Sequence, residues 1–229
     1  MTSAALPSAL ATLAGGLVVS CQAYPGEPMR SPETMVQVAA SALIGGAVGI
    51  RAQGLQDIAL IHERLRLPLI GLWKDGDDDV FITPTLQHAL DVHAAGADIV
   101  ALDGTRRRRP DGLTLADTIR RLKDQTGALV MADTGSLDDA LAAVDAGADC
   151  VGTTLAGYTP ERPKTSGPDI ELIGLIADAV DVPVIAEGRI HTPAHAAEAM
   201  AAGAFAVVVG TAITHPASIT RWFADAIHA

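Results

Sequence analysis

Short apolar runs alternate with longer stretches of helical periodicity from one end of the chain to the other. The runs are Leu17–Cys21, Ala47–Arg51, Leu69–Trp73, Ile99–Asp103, Leu129–Asp133, Cys150–Thr153, Val184–Glu187 and Ala206–Val209. Their apolar character is nearly unbroken, as expected of strands covered on both faces of a parallel sheet. The Ala-rich amphipathic stretches between them predict helices. Four helix exits look alike: Gly45-Gly46-Ala47, Ala95-Gly96-Ala97-Asp98, Ala146-Gly147-Ala148-Asp149 and Ala202-Gly203-Ala204-Phe205. Each reads as a helix stopped by glycine, a tight turn and a buried strand. The turn glycines stand at 46, 96, 147 and 203, a period near 50 that holds two strand-like runs. Such a period is a (βα)2 unit repeated four times. The expectation is therefore an α/β protein, a single (β/α)8 TIM barrel spanning residues 1–229, rather than an open doubly wound sheet. Residues 1–15 predict a short N-terminal helix leading into the first strand.

Composition narrows the class. Among 229 residues, 49 % are apolar but only 3 % aromatic, so the core is built from Ala, Val, Leu and Ile. The formal net charge of −11 argues against a nucleic-acid partner, which needs a basic stripe. It leaves room for an anionic small molecule, because a pocket can be positive on an acidic protein. Cys21 and Cys150 are too few for a disulfide framework and fall towards opposite ends of the barrel, so no bridge is expected. No basic residue precedes the apolar stretch Ala4–Cys21, and Pro7 and Gly15-Gly16 interrupt it. It reads as neither a signal peptide nor a membrane span, which points to a cytoplasmic protein.

In a barrel, function gathers at the C-terminal ends of the strands. There the chain places Ser20-Cys21-Gln22, Arg51, Lys74, Asp103, Asp133, Thr153-Thr154, Glu187-Gly188-Arg189 and Gly210-Thr211. Charges of both signs converging on one partly dry mouth are the setting in which pKa values move towards catalytic use. The loops after the seventh and eighth strands commonly hold phosphate. Gly188 and Gly210 allow close approach to the backbone, Thr211 adds a hydroxyl, and Arg189 is positioned to neutralise charge. Two other features read as bland. His191 and His195 lack a third ligand and suit a solvated helix start, so no metal is expected. The run Arg106-Arg107-Arg108-Arg109 lacks interleaved aromatics and reads as a solvated loop, with some charge available to steer a phosphorylated substrate.

The segments Ser20-Cys21-Gln22, Ile50-Arg51, Ile70-Gly71-Leu72-Trp73-Lys74, Ala101-Leu102-Asp103-Gly104-Thr105 and Gly152–Thr159 resemble the N-acetylmannosamine-6-phosphate 2-epimerases of bacterial sialic acid catabolism. Ile185–Arg189 and Val209–Thr214 continue the match in the same order, and the similarity runs from about Gly16 to Trp222. The resemblance implies a barrel of the ribulose-phosphate-binding type and a cofactor-independent isomerase that interconverts N-acylmannosamine 6-phosphate and N-acylglucosamine 6-phosphate. It implies Lys74 as principal acid/base and Glu187 as its carboxylate partner. It puts Gln22, Arg51, Asp133, Thr153 and Arg189 at the substrate, and Gly188, Arg189, Gly210 and Thr211 at the phosphate. It also implies a homodimer. The chain departs from the family after Lys74, where Asp75-Gly76 and Asp77-Asp78-Asp79 replace the usual arginine, and after Asp133, where Thr134-Gly135-Ser136 follows.

C2 epimerisation requires an open ring, so that the C1 aldehyde acidifies the C2 proton. An ordinary lysine, with a pKa near 10.4, is only about 0.04 % neutral at pH 7. Burial and Arg51 push Lys74 towards neutrality, while Glu187 and Asp133 push back. Two rivals stay open at this point: a Schiff-base sugar-phosphate aldolase using Lys74, and a non-catalytic barrel that only binds a sugar phosphate.

Overall fold

The computed structural model describes residues 6–228. Eight parallel strands close into a barrel in chain order: β1 (Leu17–Cys21), β2 (Gly49–Gln53), β3 (Leu69–Leu72), β4 (Ile99–Asp103), β5 (Leu129–Asp133), β6 (Cys150–Gly152), β7 (Val184–Glu187) and β8 (Ala206–Val209). The ring shuts where Leu17 of β1 faces Val207 of β8. Helices α2 (Pro32–Ile44), α3 (Leu55–Arg64), α4 (Leu86–Ala94), α5 (Leu115–Thr126), α6 (Leu137–Asp145), α7 (Ile170–Ala179) and α8 (Pro193–Ala201) follow the first seven strands. A four-residue α9 (Thr211–Thr214) and then α10 (Pro216–His228) follow β8.

Strand parity separates the apolar core inside the barrel from that between strands and helices, which itself falls into two clusters. Ile50, Ala52, Val100, Leu102, Val130 and Ala132 point out to the helices. Val18, Ile70, Leu72, Ile99, Ala101, Met131, Cys150, Ile185 and Val208 fill the barrel. The expected N-terminal helix is α1 (Ser8–Leu13), whose buried Leu10 and Leu13 join that inner cluster; residues 1–5 of its expected span lie outside the described residues. Cys21 belongs to an outer cluster and Cys150 to the inner one, and both are free.

The glycine exits behave as their repetition predicts. At Gly96, φ is 108°, which side chains avoid; its amide donates to His93 O and the Ala97 amide donates to Val92 O. Gly46, Gly147 and Gly203 close the same paired bonds. That motif also shifts one boundary. Ala47 donates back to Ala42 O and is part of the turn, so β2 begins at Gly49 and ends at Gln53 rather than Arg51. Arg51 is therefore a mid-strand residue pointing into the barrel, deeper than a strand end. β3 and β6 each stop one residue short of the expected Trp73 and Thr153.

Candidate active site

The same two-residue period that packs the barrel aims its last layer at the mouth. Counting outward from the inner apolar positions, Ser20, Gln22, Arg51, Lys74, Asp103, Asp133, Thr154, Glu187 and Gly210 all take inward parity. Above them lies a cavity of about 590 Å³ whose wall includes Gln22, Arg51, Lys74, Thr154, Glu187 and Gly210.

Arg51 organises its floor. The guanidinium is 1 % exposed; Nη1 donates to Asp133 Oδ1 at 3.0 Å and Nη2 to Oδ2 at 2.6 Å, while Glu187 Oε2 lies 2.9 Å from Nη1. Burial opposes its charge, but the two carboxylates outweigh burial and hold the guanidinium above its ordinary pKa. Thr154 Oγ1 stands 2.6 Å from Asp133 Oδ1 and 3.2 Å from Glu187 Oε2. Its single proton serves one of the two carboxylates at a time, and the shorter distance favours Asp133. Burial pushes the Glu187 carboxyl up to about 7, with Asp133 adding to the effect and Arg51, Lys74 and Thr154 opposing it.

Lys74 leaves β3 on a tab closed by its antiparallel bridge to Ile82. The departure from the family after Lys74 lies on this tab: Asp75 through Asp79 are exposed, and Asp75 reaches His88 at 3.2 Å. Lys74 has no ion-pair partner among the described residues, and its Nζ sits 5.8 Å from the centre of the Tyr24 ring. Burial is the largest influence on its pKa and lowers it; Arg51 lowers it further, against Glu187 and Asp133. Burial thus favours the neutral amine that a base requires.

The remaining expected site residues are distributed unevenly. Gln22 lines the mouth, its Nε2 donating to Ser20 Oγ at 2.8 Å and its Oε1 buried without a partner. Gly188, with φ 107°, Gly210 and Thr211 line one side, where α9 starts. Arg189 also borders the cavity, but its side chain is occupied: Nη1 donates to Ala156 O, Nε to Gly167 O and Nη2 to Thr165 Oγ1. It fastens the loop between β6 and α7 rather than presenting free charge. Asp133 lies beneath the cavity, holding Arg51. Thr153 has the wrong parity for the mouth; its hydroxyl donates to Glu187 O and accepts from the Glu187 amide. It braces Glu187, and Thr154 is the neighbour that faces in.

The arginine run is solvated only in part: Arg106 and Arg108 are exposed, Arg107 is half-buried and Arg109 is buried. Arg106 pairs with Asp139 and Asp138, and Arg107 with Asp103. Arg109 is 2 % exposed and spans Asp103 O and Thr83 O with two 2.7 Å bonds. Asp103, despite its inward parity, is capped by Arg107 and does not face the cavity. Sequence reading put Thr153-Thr154 at the strand end but chose Thr153, where strand parity selects Thr154; it read Arg107 only as part of a solvated run and missed Tyr24 and His215, which sit in loops where no periodicity applies. His191 rests on the Trp222 ring at 4.7 Å and its amide donates to His195 Nδ1; among the described residues no group of three or more potential ligands is arranged for a metal ion.

A (β/α)8 barrel whose mouth joins a half-buried lysine to a carboxylate cluster, beside glycine-rich strand ends, is an enzyme fold equipped for proton transfer on a small anionic molecule. Residues 35–229 match the family model described as "Putative N-acetylmannosamine-6-phosphate epimerase", and the chain belongs to that family. A relative in Cutibacterium acnes, named a putative N-acetylmannosamine-6-phosphate 2-epimerase, is 63 % identical over 95 % of this chain and 96 % of its own. One of the same name in Caldanaerobacter subterraneus subsp. tengcongensis is 49 % identical over 92 % and 90 %. The solved N-acetylmannosamine-6-phosphate 2-epimerase of Clostridium perfringens superimposes with a TM-score of 0.92 at 39 % identity, covering 99 % of each chain.

Proposed function

We propose that this chain interconverts N-acylmannosamine 6-phosphate and N-acylglucosamine 6-phosphate by moving the C2 proton of the ring-opened sugar. It is an isomerase of the carbohydrate epimerase class. The carrying observation is Lys74, an amine without an ion-pair partner among the described residues, whose burial favours its neutral form beside Arg51 and Glu187. Neutral Lys74 takes the proton from C2; the C–H electron pair becomes the C1–C2 double bond, and the carbonyl pair moves onto O1. Protonated Glu187 and the Arg51 cation stabilise that developing oxyanion. The O1 electron pair then reforms the carbonyl as C2 takes a proton from solvent water on its opposite face, and the Lys74 ammonium gives its proton up to the solvent, which completes inversion. Gln22 contacts sugar hydroxyls. Gly188, Gly210 and Thr211 approach the phosphate through backbone amides, with the dipole of the strand–helix junction in support.

The test is proton NMR in D2O with N-acetylmannosamine 6-phosphate. Deuterium should enter C2 as the epimer appears; neither exchange nor epimer from folded protein would overturn the reading.

The biological setting is the catabolism of sialic acid, in keeping with the family resemblance. Two buried thiols without a bridge suit a reducing compartment, which supports a cytoplasmic location. Among the described residues no helix is long and apolar enough to cross a membrane. A homodimer is supported by α10, which buries no side chain and exposes Phe223 at 70 % and Ile227 at 78 %. Beside it, an apolar groove of about 460 Å³ includes Ala196, Met200, Val207 and Val209. Contiguous apolar surface of this kind marks association sites. Sedimentation should show a dimer that dissociates in a Phe223→Glu/Ile227→Glu variant.

A further inference from the structure

The mouth has a far side, beyond Lys74, that the phosphate segments do not use. In a closed ring of eight strands, β3 stands opposite β7 and β4 opposite β8. A sugar phosphate held by its C6 phosphate beyond β7 and β8 therefore extends C1 and C2 towards Lys74 and the loops after β3 and β4. Those loops contribute Phe81, Ile82 and Arg107 to the wall. Arg107 is clamped along one edge: Nη2 donates to Asp103 Oδ2 at 2.8 Å and Nε to Thr105 Oγ1 at 3.0 Å. Asp103 is itself fully buried and fastened by the Thr105 amide and hydroxyl. Nη1 has no partner among the described residues. A guanidinium fixed in this way offers a donor with little further ordering cost.

We propose that Arg107, Phe81 and Ile82 form the subsite for the acyl group on C2. Arg107 Nη1 donates to the acyl carbonyl, and Phe81 and Ile82 receive the alkyl end. A cation already paired with Asp103 suits a neutral amide oxygen better than a second anion, and two apolar side chains beside it match a short alkyl group. The assignment rests on the epimerase reading for the direction in which the substrate lies.

Calorimetric binding of N-acetylglucosamine 6-phosphate, its N-butanoyl homologue and inorganic phosphate tests the subsite without requiring turnover. Loss of catalysis and loss of acyl recognition are thus separate results. Arg107→Met should weaken the N-acetyl compound roughly 10- to 100-fold, the loss expected for a hydrogen bond from a charged donor. Inorganic phosphate should bind that variant as it binds wild type. Phe81→Ala should raise the ratio of N-butanoyl to N-acetyl affinity about tenfold, in line with the apolar area of the added methylenes. An equal loss for inorganic phosphate in Arg107→Met would place Arg107 at the phosphate and overturn the assignment. Should Arg107→Met fail to fold, an unchanged acyl ratio in Phe81→Ala would overturn it alone.

Discussion

The Arg51 guanidinium and the Asp133 carboxylate face each other edge to edge across the barrel interior, with paired bonds of 3.0 and 2.6 Å and almost no exposure on either side. Removing Asp133 leaves Arg51 with Glu187 as its one remaining carboxylate, so the cost falls towards the lower end of the about 3–5 kcal/mol of a broken buried pair. For a chain of this size Asp133→Asn should lower Tm by roughly 6–20 °C. Thermal unfolding followed by circular dichroism would show it. A Tm within about 2 °C of wild type would mean the pair carries no such weight.

Lys74 contributes chemistry more than stability, being half-buried with no ion-pair partner to strand. Lys74→Met should cost on the order of 10²–10⁴-fold in kcat, the usual contribution of a general base. It should keep its Tm and its affinity for inorganic phosphate. In wild type, borohydride with substrate should leave Lys74 unmodified; a trapped adduct would favour Schiff-base aldolase chemistry instead.

Glu187 couples stability to pH. Its carboxyl titrates at about 7 in the folded chain against an ordinary 4.5. Between those values the native state binds more protons than the unfolded state, so this group's contribution declines as pH rises through the window. Urea midpoints for wild type should fall relative to Glu187→Gln from pH 4.5 to pH 7.5. The same variant removes a negative charge that raises the Lys74 pKa. The pH midpoint for amine-selective labelling of Lys74 should therefore move down, and an upward shift would contradict the electrostatic picture.

Arg109 acts on Lys74 at second hand. It holds Thr83 O, and Thr83, at φ 45°, in turn pairs with Trp73 through two hydrogen bonds immediately before Lys74. Arg109→Met leaves two buried carbonyls unpaired, each costing about 1–3 kcal/mol. The expected result is a lower Tm with kcat reduced more than KM is raised, measured by steady-state kinetics beside thermal unfolding. A change confined to KM would point to a role at the substrate.

The helix exits at Gly46, Gly96, Gly147 and Gly203 made the barrel readable, because a glycine needed at positive φ repeats with the (βα)2 unit. Strand ends were nearly as clear: Lys74, Asp133, Glu187 and Gly210 fall where unbroken apolar runs meet polar residues. Thr153 shows the limit. Choosing between it and Thr154 needed the inward parity of Cys150, which two adjacent threonines do not announce.

By itself, then, the chain determined the half-buried lysine, the carboxylates and the glycine turns, since these follow from local periods of two and 3.6 residues and from backbone stereochemistry. Tertiary structure alone decided what the loop cations do. Arg189 binds carbonyls 22 and 33 residues away, Arg109 one 26 residues away, and Arg106 a carboxylate 33 residues away. Arg107 bonds locally, to Asp103 and Thr105, yet only the fold shows that its free edge faces the cavity. A long flexible side chain settles on whichever buried acceptor the closed barrel brings within reach, and no local pattern records that choice.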